Sequence, residues 1–103
     1  MNFGWDEGKA RQNFREHGVF FETAVLAFED PGAVFIADRI IETEERWHLI
    51  GMIPSGGILL VVHTVRERRQ GENVIRIVSA RRATPRERIL WQRLSKYGNP
   101  AAP

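Results

Sequence analysis

Residues 74–88, VIRIVSARRATPRER, change character twice within fifteen positions. Val74-Ile75-Arg76-Ile77-Val78 is β-branched and reads as a strand. Ser79-Ala80-Arg81-Arg82-Ala83 turns the chain. Thr84-Pro85-Arg86-Glu87 then opens a helix, with Thr84 as N-cap, Pro85 in the first turn and Glu87 closing a capping box. Any fold of this chain must therefore join a sheet strand directly to a helix start. Five of the fifteen residues are arginine. Arg76 lies between Ile75 and Ile77, and a charge buried there without a partner is costly. It needs a carboxylate, a ligand phosphate or a route to water.

The remaining elements follow from periodicity. Asn2 to Trp5 suits a short strand anchored by Phe3 and Trp5. Asp6 caps a helix over Glu7–His17, which Gly18 stops. Phe21, Ala24, Val25 and Phe28 have the spacing of a second short helix, ended by Asp30-Pro31-Gly32. From Ala33 the period becomes two. Strands are expected over Ala33–Ala37, Glu45–Ile53, Ile58–Arg66 and Asn73–Ala80, with polar loops at Asp38–Glu44 and Arg66–Glu72. Pro54-Ser55-Gly56-Gly57 is a hairpin turn. The last helix runs from its Thr84 cap to about Tyr97, leaving 98–103 as a frayed tail. The expected architecture is one α+β domain over residues 1–97: two N-terminal helices, a four-stranded antiparallel sheet and a C-terminal helix.

Charge is unevenly placed. Residues 1–65 carry five basic and ten acidic side chains, whereas residues 66–103 carry ten basic and three acidic. Thirteen of the fifteen basic residues are arginine, which grips phosphate through a planar fork and keeps its charge when desolvated. A polyanion or an acidic protein suits such a half; a solvated helix face paired internally is the plainer reading. The chain has no cysteine, which excludes disulfides, thiolate nucleophiles and cysteine metal sites. It has no apolar run of membrane-spanning length and no secretory leader pattern, so a cytoplasmic location is expected.

No phosphate-binding glycine loop or nucleophile elbow is present, and His17, His48 and His63 lack metal-ligand spacing. No metal or cofactor is expected. The informative signal is polar residues inside strands: Arg46 and His48 share a face of one strand, His63 and Arg66 lie in the next, and Arg76 and Arg81 in the last. Paired as a meander, they would gather on the side of the sheet opposite its helices, although a one-residue slip moves any of them across. Arginine and histidine together suit phosphodiester cleavage, with arginine stabilising charge on phosphate and a histidine or carboxylate moving protons. The alternative is a structural network in which Arg46 and Arg76 pair with Glu44 or Glu45 across strands.

A series of motifs adds to this. Phe3-Gly4-Trp5-Asp6 with Lys9 and Asn13, His17-Gly18-Val19, and Phe21-Glu22-Thr23-Ala24 come first. Phe28-Glu29-Asp30-Pro31, Glu44-Glu45-Arg46 with Gly51, and Leu59 to Thr64 follow, then Arg76 to Ala83 with Glu87-Arg88. In this order the motifs resemble the BrnT-type toxins over roughly residues 2–90. The resemblance implies a fold similar to the RelE-like, barnase-type microbial ribonucleases and a bacterial type II toxin that cleaves RNA and blocks translation. It also implies a BrnA-like ribbon-helix-helix antitoxin as partner, with operator DNA reached only through that antitoxin. Lys9, His17, Arg46, Arg76, Ser79 and Arg81 occupy motif positions; His63 stands where many relatives have another residue.

The leading expectation is a metal-independent endoribonuclease. Arg46, Arg76 and Arg81 would hold phosphate. Lys9 or His17 would act as base or acid, provided the first helix lies beside the open sheet face. His48, His63 and Arg66 would help bind RNA, with Glu45 in reserve. Two rivals are a non-catalytic antitoxin-binding module acting in operon repression, and an RNA-binding domain that stacks bases on exposed aromatics. Trp5 and Trp47 are expected in the core, which weighs against the last.

Overall fold

The computed structural model describes residues 2–42, 44–67 and 71–97. Its elements are β1 (Asn2–Gly4), α1 (Glu7–His17), α2 (Phe21–Ala27), β2 (Val34–Ile41), β3 (Glu44–Met52), β4 (Ile58–Glu67), β5 (Asn73–Arg82) and α3 (Pro85–Leu94), followed by a 3-10 turn at Ser95–Tyr97. The tail expected at 98–103, and the tip of the polar turn at 68–70, lie outside the described residues. Among the described residues no helix is long and apolar enough to cross a membrane.

The sheet corrects the expected four antiparallel strands. It has five strands in the order β1-β5-β4-β3-β2 and is mixed, because β1 runs parallel to β5 with Phe3 opposite Ile75 and Gly4 opposite Arg76. Phe3 drives this pairing. Its ring packs edge-on against Phe28 at 4.9 Å, which lays the N-terminal segment along the free edge of β5. β3, β4 and β5 form the expected antiparallel meander. The loop expected at Asp38–Glu44 is also corrected: β2 continues to Ile41, where Ile40 and Ile41 pair with Glu45 and Glu44. An edge strand with solvent beside it tolerates charges that would be costly in a central one. Glu42, at φ 57, makes the turn.

Helices cover both faces of the sheet. α1 and α2 pack on one, where Phe21, Ala24, Leu49, Val61, Ile77 and Ala80 form the main core. α3 packs on the other, placing Leu90 and Trp91 against Val34, Ile50, Leu60 and Val62. The expectation of one uncovered face is thus half right, since α3 shields part of the second face and leaves the rest open. Fully buried Phe21, Leu49, Ile75 and Ile77 each contribute roughly 1.5–3 kcal/mol.

Local chemistry fixes the helices. The Asp6 carboxylate accepts the Lys9 amide at 2.9 Å, and Gly18 ends α1 at φ 70, a conformation that favours glycine. Asn13, buried on α1, donates to the Val19 and Ala80 carbonyls at 3.0 and 2.8 Å and accepts the Ala80 amide at 3.0 Å. That side chain clamps α1 to β5. Gly51 lets α2 lie directly on β3, for a Cβ there would sit 2.6 Å from the Ala27 carbonyl oxygen. At the other end Thr84 and Glu87 form the expected capping box, and Trp91 donates to Asp30 at 2.9 Å, pinning α3 to the α2–β2 turn.

Candidate active site

Strand register assembles one row across all five strands on the α3 side of the sheet. Gly4 lies opposite Arg76, Arg76 opposite Thr64, Thr64 opposite Arg46, and Arg46 opposite Arg39. Neighbouring strands are about 4.8 Å apart, so the three arginines of the row span roughly 14 Å. Two residues along β3 from Arg46, on the same face, lies His48, flanked by Ile36 and Val62. Arg66 shares the face through β4 and is exposed.

A carboxylate from the edge strand organises this row. At the irregularity between Ala37 and Arg39, Asp38 turns onto the same face. Its Oδ2 lies 3.3 Å from Arg46 Nε and 3.5 Å from His48 Nε2. The contact to Arg46 has ion-pair distance without hydrogen-bond geometry, so Arg46 Nε is buried and unbonded. Thr64 Oγ1, its neighbour across the strand pair, is likewise buried and unbonded. Only three buried side-chain polar atoms among the described residues share that condition, and two of them lie in this row. Arg76 is exposed and has no ion pair among the described residues. Arg39 opposite Arg46 is a like-charge pairing that costs stability unless an anion intervenes, and Asp38 supplies only one.

A second irregularity decides where Arg81 goes. Val62 pairs with Ser79 but His63 pairs with Ile77, so Val78 is an extra residue in β5. Strict alternation would place Arg81 opposite to Arg76; the bulge returns Ser79 and Arg81 to the same face. Arg81 is nevertheless engaged. Its two terminal nitrogens donate to the Glu87 carboxylate at 2.8 and 3.0 Å, and one also donates to the Arg82 carbonyl. Glu87 bonding raises the affinity of Arg81 for its proton, and Arg81 bonding holds the Glu87 carboxyl below the usual carboxylate range. Arg81 therefore fastens β5 to α3, and its expected role as a phosphate holder gives way to this fork.

The other expected site residues lie on the opposite side. His63 is fully buried on the α1/α2 face, edge-on to Phe28 at 4.8 Å and Phe35 at 6.1 Å. Its Nδ1 contacts the Val61 carbonyl at 3.3 Å, while Nε2 has no partner. Burial lowers its pKa from 6.5 to about 4, with His48 adding a smaller push and the Val61 carbonyl opposing it. His63 is thus a neutral core residue and is out of reach of RNA. Lys9 and His17 are exposed on α1, which packs on that same face through Ala10 and Asn13, so the condition for their acting as base or acid is not met. His17 has Glu16 at 3.8 Å. Glu45 accepts from Trp47 at 3.0 Å on that face too. Sequence reasoning missed Asp38, Arg39 and Thr64. Asp38 continues the 34, 36, 38 alternation of β2, a signal that its polar neighbours masked.

The open face thus joins an imidazole, a carboxylate that contacts both it and Arg46, and the guanidinium groups of Arg39 and Arg76, which make no ion pair among the described residues. Such a set can move a proton at His48 and stabilise negative charge on a phosphate. Among the described residues no group of three His, Cys, Asp or Glu side chains is placed to hold a metal ion.

A comparison with curated protein sequences finds no match. The comparison with protein families does: residues 5–87 match the family described as the ribonuclease toxin, BrnT, of type II toxin–antitoxin systems. That span runs from Trp5 through both N-terminal helices and strands β2 to β5 to the Glu87 capping residue, and the chain belongs to this family of ribonuclease toxins.

Proposed function

We propose that the chain is an endoribonuclease that cleaves RNA without a metal ion, using the row Arg76–Thr64–Arg46 and the His48–Asp38 pair. The observation that carries this reading is the row itself, three arginines and one compensating carboxylate on an open sheet face. His48 takes the proton from a ribose 2′-hydroxyl, and O2′ attacks phosphorus. The bond from phosphorus to the 5′-oxygen breaks, water protonates that oxygen, and a 2′,3′-cyclic phosphate remains. Arg46 and Arg76 stabilise the charge that builds on the phosphate oxygens, a contribution worth about a hundredfold to a thousandfold per well-placed donor. Asp38 holds the imidazole in place. Family membership implies an antitoxin partner. A BrnA-like ribbon-helix-helix protein fits that role, making any operator contact itself and neutralising the toxin in the cytoplasm.

Purified protein is expected to cut RNA in EDTA, and Arg76→Ala to lose at least about tenfold in kcat/KM with an unchanged circular dichroism spectrum. Full activity in that variant removes Arg76 from the site. Growth arrest and antitoxin binding with no RNA cleavage, in EDTA or in magnesium, would replace the enzyme by a binding module.

A further inference from the structure

Between α3 and the sheet, next to the row, runs a half-open groove of about 450 Å³. Its sheet side is Ile36, Ile50 and Leu60, and its helix side is Ile89 with Arg86 and Arg93. His48 lines the groove as well. It therefore belongs both to the groove and to the arginine row, and the two are continuous. The volume lies in the range of pockets that hold small organic ligands, about 300–1,000 Å³.

The chemistry of the lining selects an occupant. Ile36 and Ile89 are 39% and 49% exposed, so apolar surface is turned toward the groove and left uncovered. Arg86 and Arg93 are seven residues apart, two helical turns or about 10 Å along one side of α3. Both are exposed, and neither makes an ion pair among the described residues. The one carboxylate in the lining, Glu87, is consumed by Arg81 and by the Thr84 amide. Apolar walls with a cationic rim that makes no ion pair among the described residues match a nucleobase attached to a phosphate chain.

From this we infer that the groove is a subsite for single-stranded RNA, holding the nucleotide next to the scissile phosphate. The inference rests on the ribonuclease reading of the adjoining face. The base lies between Ile36 and Ile89, and Arg86 and Arg93 bind the phosphates that follow. RNA that places a phosphate between Arg46 and Arg76 beside His48 continues into this groove. On this placement the site takes unpaired RNA, whose bases can be splayed out of a stack.

The test separates binding from cleavage. A 2′-O-methyl RNA hexanucleotide, which lacks the attacking hydroxyl, is titrated by fluorescence anisotropy against wild type, the Arg86→Ala/Arg93→Ala double variant and the corresponding double lysine variant. The double alanine variant is expected to bind at least tenfold more weakly. Its log Kd against log salt slope should fall by about 1.4, the release expected for two phosphate contacts on a single strand. The lysine variant should recover most of that slope. Ile89→Asp, at a half-exposed position that tolerates the change, should weaken binding while circular dichroism stays native. Unchanged affinity and slope in the double alanine variant overturn the subsite. So does a loss confined to antitoxin binding, which gives the groove to a protein partner. Cleavage of the unmodified hexanucleotide is scored separately. Groove-dependent binding without any cleavage sinks the enzyme reading and leaves an RNA-binding groove, whereas cleavage with groove-independent binding sinks the subsite alone.

Discussion

His63 makes the buried face of this toxin sensitive to acid. In the folded chain its imidazole takes a proton only near pH 4, whereas the unfolded chain takes one up near pH 6.5. Above pH 6.5 both states hold it neutral and stability is unaffected. Between those values the unfolded state binds the extra proton, so stability falls as pH falls, by about 1.4 kcal/mol per unit at most. At pH 5 the loss is about 2 kcal/mol, and below pH 4 it levels off near 3 kcal/mol. The structural cause is the cage of Phe28 and Phe35 rings around a ring nitrogen with no partner, which offers a cation neither water nor a carboxylate. Urea unfolding of wild type and of His63→Leu at pH 7 and pH 5 isolates the effect, because carboxylates shared by both chains cancel in the comparison. The wild type should lose about 2 kcal/mol more than the variant over that interval. Equal losses in the two chains would show that His63 is not held neutral by burial, and the reasoning fails.

Two further outcomes follow from the open face and its neighbour. Asp38→Asn keeps the shape of the carboxylate and removes its charge, so kcat on RNA should drop about tenfold with KM moving less, and Asp38→Glu should restore part of it; equal loss in both variants would point to misfolding, checked by circular dichroism. Glu87→Gln should lower stability at pH 7 by about 1 kcal/mol after solvent screening of the half-exposed Arg81 fork. Because the Glu87 carboxyl is held below its usual range, that difference is present above the unfolded value near 4.5 and is lost as pH falls through the lower folded value. An undiminished difference at pH 3 would mean the fork is not the cause.

Local chemistry was readable in the sequence wherever a residue acts on its chain neighbours. Asp6 with Gly18, and Thr84 with Glu87, mark helix ends because caps bond within a turn. The β3–β4 hairpin follows from its turn residues, and the gathering of Arg46, His48, Arg66 and Arg76 on one face follows from alternation. What was not readable depends on distant partners. β1 pairs with a strand some seventy residues away, which no local pattern announces. The extra residue at Val78 resets the face of Arg81, and whether Arg81 meets a phosphate or Glu87 depends on where α3 docks. His63 looks like a candidate ligand in a list of histidines, yet its parity with Leu59 and Val61 sends it into the core. Thr64 and Asp38 were passed over because a threonine in an apolar strand, or an aspartate among polar letters, gains meaning only from its cross-strand neighbours.

The row across the sheet also sets a timetable. One end comes from Gly4 and its centre from Thr64, but the link between them, Arg76, lies in the last strand to be made. At synthesis rates of about 5–20 residues per second, several seconds separate the first strand from the fifth. Throughout that interval the emerging polypeptide lacks Arg76, lacks α3 above the sheet and lacks the β5 backbone that Asn13 of α1 grips. If Arg76 binds phosphate as proposed, the row stays incomplete on the ribosome until β5 has been made and has paired with β4.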